Sequence, residues 1–162
     1  MTKILRQGAI GALLDEYERA MADLKKVIET IPDNALTIIT DPNTTDENCR
    51  SVQAILSHVV HSGYGYATSI QNLKAPGRER PAKTFHLTVN AYLEDLTNVF
   101  SFTENVFTAF ADHELRQLND SLKIKAGWGP LYDIEQMTEH AIVHILRHRR
   151  QIEKIKLRVP GF

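Results

Sequence analysis

Apolar residues recur at spacings of three and four in four separate stretches of the chain, the period of a helix with one buried face. The first stretch carries Ile10, Leu13, Leu14, Tyr17, Met21, Leu24, Ile28 and Ile31, and Pro32-Asp33-Asn34 ends it. A loop over 32–49 follows, with turn chemistry at Asp41-Pro42-Asn43. The second stretch runs over 51–73, with Val52, Ile55, Leu56, Val59, Gly63, Tyr66 and Ile70 on one face and Ser51 as N-cap. Ala75-Pro76-Gly77 through Pro81 breaks the pattern. The third stretch covers 84–112, with Val89, Tyr92, Leu96, Val99, Phe100, Val106 and Phe107 among its apolar positions. A polar connection then passes through Leu122-Lys123-Ile124-Lys125, a short strand or extended segment, and Gly127-Trp128-Gly129-Pro130. The fourth helix is expected from Leu131, with Pro130 at its first position, to Leu157. Four helices of roughly 22–29 residues predict an all-α fold, a four-helix bundle. No internal repeat or low-complexity segment is present.

Composition narrows the class. A length of 162 residues suits one domain spanning 1–162. Lys and Arg number 19 against 20 Asp and Glu, a balance that argues against a nucleic-acid partner. The apolar runs are too short to span a membrane. Met1-Thr2-Lys3-Ile4-Leu5 leads into the first amphipathic pattern with no signal-peptide core. The single Cys49 excludes an intramolecular disulfide and fits a reducing, cytoplasmic setting.

Bundles build their sites between facing helices, so inward polar residues matter most. His140, His144 and His148 stand at i, i+4 and i+8 on the fourth stretch. With Leu131 at zero, the core face falls between about 240° and 320°. His148 lies at about 260°, His144 at about 220° and His140 at about 180°. His144 and His148 therefore aim inward, one turn apart, and His140 further out. On the second stretch His58 lies nearer the core face than His61, which is expected in solvent. Two imidazoles one turn apart can share an ion, and a third from a neighbouring helix completes a three-nitrogen site with open positions. The alternative is that these histidines are hydrogen-bonded core residues.

Other metal and nucleotide chemistries lack their patterns. No Glu-x-x-His occurs, which removes the carboxylate-bridged dimetal bundle. There is no Cys-x-x-Cys-His, Walker loop, GxGxxG or structural zinc pattern. Cys49 is read as an inert or buried thiol, since nothing sequence-local activates it.

Two segments carry a resemblance. Ser51-Val52-Gln53-Ala54-Ile55-Leu56-Ser57-His58 and His140-x3-His144-x3-His148-Arg149-Arg150-Gln151-Ile152, with the Trp-Gly element before the last helix, resemble the DinB/YfiT-like metalloenzyme family. The resemblance covers essentially the whole chain and implies a four-helix bundle. It implies metal ligands at His58, His144 and His148, the three that the helical angles favour, and a divalent ion, nickel or zinc being typical. Some members are transferases or isomerases that use low-molecular-weight thiols such as bacillithiol, mycothiol or glutathione; many have no established activity, and dimers are frequent. Arg150 stands where the family often has Gly, which bears on packing or substrate contact rather than on the ligands.

The resulting expectation is a metal-dependent enzyme of thiol-transferase or hydrolase type. It would act on a small molecule, with a thiol as co-substrate, as a homodimer, with no nucleic-acid or membrane partner. Ser62 and Tyr66 are candidate site-lining residues. Gln151 either reaches the same cavity or faces solvent, and His140 lies near the site or in solvent. The competing expectations are a non-catalytic metal-binding bundle and a metal-free helical interaction protein whose third-helix Phe and Tyr form an interface.

Overall fold

The computed structural model describes residues 4–162. The expectation for Met1–Lys3, that they lead directly into the first helix, lies outside the described residues. Four helices form: α1 Gly8–Ile28, α2 Val52–Gln71, α3 Val89–Phe107 and α4 Ile134–Arg158. Their lengths of 21, 20, 19 and 25 residues are mostly shorter than the periodicity suggests. Apolar spacing continues into single turns at either end, which pack on the core without extending the helices. Ile31, Ala35 and Leu36 beyond α1 are buried in this way.

α1 packs beside α3 and α4, and α2 packs beside the same two. The α1–α2 and α3–α4 pairs are therefore diagonal. Each is joined by a long connection, 29–51 and 108–133, because a short loop cannot cross a bundle. The core between the helices contains Tyr17, Met21, Leu24 and Ile28 of α1, Ile55, Leu56 and Val59 of α2, Tyr92, Leu96 and Val99 of α3, and Met137, Ile145 and Ile152 of α4. The aromatic side chains of α3 are thus committed inward: Tyr92, Phe100 and Phe107 are buried and Phe102 is half-buried. Before the helix, within the stretch read as helical from 84, Phe85 is 58% exposed.

The helix starts differ from expectation in an instructive way. Ser51 caps α2 as predicted, its hydroxyl accepting from Ala54 N–H at 3.1 Å. The fourth helix begins at Ile134 rather than Leu131, so Pro130 is not its first residue. Leu131-Tyr132 instead pairs antiparallel with Ile124-Lys125 as a two-stranded ribbon. Asp133 then caps α4 in a reciprocal box: its carboxylate accepts from Gln136 N–H at 2.8 Å, and Gln136 Oε1 accepts from Asp133 N–H at 3.1 Å. The third helix starts at Val89, because 81–87 runs extended across the bundle surface. α1 has no side-chain cap of its own. Asp112, from the α3–α4 connection, accepts from Ala9 and Ile10 N–H at 3.0 and 2.9 Å instead. Gly8 permits that approach, with φ of +78° and no room for a Cβ beside Asp112.

Candidate metal centre

His58 on α2 and His144 and His148 on α4 meet where these two helices pack. The α4 box and the buried stripe Ile134, Met137, Ala141, Ile145, Ile152 set the rotation of that helix. His148 falls in the stripe and is 3% exposed; His144 and His58 lie at the seam and are partly buried. Their ring centroids are 4.5–5.2 Å apart, all edge-on. The donor nitrogens of the three lie within 4.8 Å of one another. Nε2 of His58 and Nε2 of His144 face each other at 2.9 Å. Zinc–nitrogen bonds of ~2.0–2.1 Å put two ligand nitrogens of one ion roughly 3–3.4 Å apart. The donor set and its spacing therefore fit a divalent ion, with a small adjustment at the widest pair.

Partners orient two of the rings. His148 Nδ1–H donates to Gln151 Oε1 at 2.9 Å, which leaves Nε2 with its lone pair. Nδ1 of His58 faces Ser62 Oγ at 3.4 Å, a contact through which Nδ1–H donates when Nε2 is the free nitrogen. Gln151 is half-buried against His148, but it borders the clefts beside Arg147 and Lys154 rather than the cavity lined by Ser62 and Tyr66. Its oxygen also lies 4.0 Å from Cys49 Sγ, which in turn is 3.5 Å from the Asp46 carboxylate. Cys49 is therefore half-buried and hydrogen-bonded next to the site. Burial pushes its thiol upward, and Asp46 adds to that, so the expectation of an unactivated thiol agrees with its surroundings.

The electrostatics favour neutral imidazoles. Burial lowers His58 to about 4, and the nearby His148 and Lys83 add to the shift. Burial lowers His144 to about 3, with repulsion from His148 and His58 next. His148 is lowered by burial and partly restored by Gln151. Neutral rings are the form that binds metal.

The remaining histidines separate cleanly. His140 lies beside the cluster, stacked on Trp128 at 4.5 Å between ring centroids, with Tyr66 edge-on at 5.5 Å. Tyr66 also meets His144 edge-on at 5.7 Å, so Tyr66 and Trp128 form one aromatic wall of the site. His61 does not stand in solvent as expected. It is half-buried beside Pro81 and Lys83, and its Nδ1 is closed off from water. The extended 81–87 segment covers it, a contact no local pattern announces.

An open pocket of about 480 Å³ adjoins the cluster. His58, Ser62, Tyr66 and Met137 line it from the helices, Ala126-Gly127-Trp128 from the ribbon turn, and Arg78 and Arg80 from the α2–α3 connection. Ser62 and Tyr66 are thus lining residues as expected. Arg78 and Arg80 are unanticipated, because their place depends on the path of a loop.

No helix among the described residues is long and apolar enough to cross a membrane. The chain has no significant match among curated proteins. Its sequence does match the DinB superfamily over residues 16–152, from the middle of α1 to beyond the last histidine of the cluster. With four helices in the order and packing described, and His58, His144 and His148 gathered at one seam, the chain belongs to the DinB superfamily.

Proposed function

We propose that His58, His144 and His148 bind a divalent metal, zinc or nickel, and that the protein uses it to activate a thiol or water against a small electrophile. The observation that carries this reading is the convergence of three neutral, partly buried imidazoles beside an open pocket that includes one of them. Three protein nitrogens leave an ion with coordination positions for an outside group, the arrangement of catalytic rather than structural sites. A divalent ion held there lowers the pKa of a thiol or water, supplying a thiolate or hydroxide at neutral pH.

The chain's own residues then do the positioning. Gln151 holds the His148 tautomer, and Ser62 faces His58 Nδ1. Burial pushes the Tyr66 phenol above its usual range, so it stays protonated, a hydrogen-bond donor at the pocket wall. Trp128 and Tyr66 offer apolar faces to the body of a substrate. The co-substrate is proposed to be a low-molecular-weight thiol, with hydrolysis as the second reaction type and a homodimer as the assembly.

Elemental analysis of untagged protein, stripped and reloaded with zinc or nickel, tests the reading. Near-stoichiometric uptake that a His148→Ala variant loses supports it, and thiol-transfer assays on the loaded protein follow. Absence of specific uptake by the wild type would leave a bundle whose histidines are hydrogen-bonded core residues.

A further inference from the structure

The pocket beside the histidines is charged on one side only. Arg78 and Arg80 line it, and no Asp or Glu does. Neither guanidinium forms an ion pair among the described residues. The first of the two sits on a fixed base. The backbone of Arg78 is clipped to the end of α2: its N–H donates to Asn72 Oδ1 at 2.9 Å, and its carbonyl accepts from Asn72 Nδ2 at 3.0 Å.

Arg80 lies flat against α2 at Gly65. A Cβ at that position would stand 2.7 Å from Arg80 Nη1 and 3.3 Å from Arg80 Cδ. Gly65 is inside the helix and has no positive φ, so its backbone does not require glycine. Glycine in a helix interior is unfavourable. The Arg80 guanidinium occupies the space where a side chain at this position would stand. One more polar group waits at this wall: Thr68, 6% exposed and lining the same pocket, has a hydroxyl with no hydrogen-bond partner among the described residues.

From this geometry we infer that the pocket selects small molecules bearing an oxyanion, a carboxylate or a phosphate. Arg80 and Arg78 receive the anion while the rest of the molecule lies against Trp128 and Tyr66, next to His58. Guanidinium forks match both oxyanions and form the stronger, charge-assisted class of hydrogen bond. The inference names a substrate class for the site of the proposed function and rests on that reading for its catalytic meaning.

The test uses the chain's single tryptophan, Trp128, as its reporter. Full-length protein, freed of metal on a chelating resin, is titrated with benzoate, phenyl phosphate and the neutral benzamide while Trp128 fluorescence is followed. A metal-loaded sample is titrated in parallel. Saturable binding of at least one anion, stronger than benzamide and weakened about tenfold or more in Arg80→Gln, supports the proposal. The tighter anion identifies the group. Gly65→Ala guards against misfolding as an explanation: it should raise Tm while weakening the anion, since the added methyl shifts the Arg80 guanidinium from its place on the helix surface. Equal binding of benzamide and the anions, no binding of either anion, or unchanged anion affinity in a normally folded Arg80→Gln overturns it. Anion binding by protein that takes up no metal would sink the metal reading alone, and metal uptake without anion binding would sink this one alone.

Discussion

Gln151 makes the clearest residue-scale prediction. Its oxygen accepts from His148 Nδ1–H, so it selects the tautomer that leaves Nε2 free. Partners of this kind typically tune metal affinity by about 10–100-fold. Gln151→Ala should weaken metal binding by that order in a competition titration with a chromophoric chelator, while His148→Ala should abolish it. The histidines also predict a pH response of the metal-free protein. His58 is lowered to about 4 and His144 to about 3, against 6.5 in an unfolded chain. Above that unfolded value both states are neutral and stability is unaffected. As pH falls below it, the unfolded chain takes up protons that the folded one refuses, so stability drops. Thermal melts in chelator should show Tm falling from about pH 6.5 toward pH 4. A His58→Gln, His144→Gln variant should flatten that slope.

At the scale of elements, the start of α4 decides whether its histidines point inward. Asp133 closes that start by accepting from Gln136 N–H and from Gln117 N–H of the preceding connection. Asp133→Ala should cost about 1 kcal/mol, the usual value for a lost cap, read as a lower denaturant midpoint with unchanged slope. Metal stoichiometry should survive, because Ile134, Ile145 and Ile152 still hold the helix face against the core. The contrast with Ile152→Ala is informative. That side chain is fully buried one turn beyond His148, and its loss should cost about 2–5 kcal/mol through the cavity it leaves.

For the whole molecule, the three candidate ligands come from two helices, so an ion held by them would tie α2 to α4 only in the folded state. Metal binding is then linked to folding. Free ion at about 100 times its Kd should stabilise the protein by about 2.7 kcal/mol. Calorimetry with and without zinc or nickel should show the rise in Tm for the wild type and none for His148→Ala.

Much of this is local and therefore legible in one sequence. The four helices follow from apolar spacing, the Ser51 cap from its residue type, and the inward aim of His58, His144 and His148 from angles around two helices. Those are short-range properties: each depends on residues within a few turns. The errors arose where a distant segment supplies the partner. Pro130 reads as a helix start until Leu131-Tyr132 pairs with Ile124-Lys125. His61 reads as solvent-facing until the 81–87 segment lies over it. Arg78 and Arg80 are unremarkable basic residues of a loop until Asn72 clips the one and the other settles over Gly65 beside the pocket. The sequence by itself determined the helices and the histidine triad, because periodicity and side-chain direction are set by the local backbone. Only the tertiary structure decided the pocket, because its walls come from loops whose paths are set by what they cross.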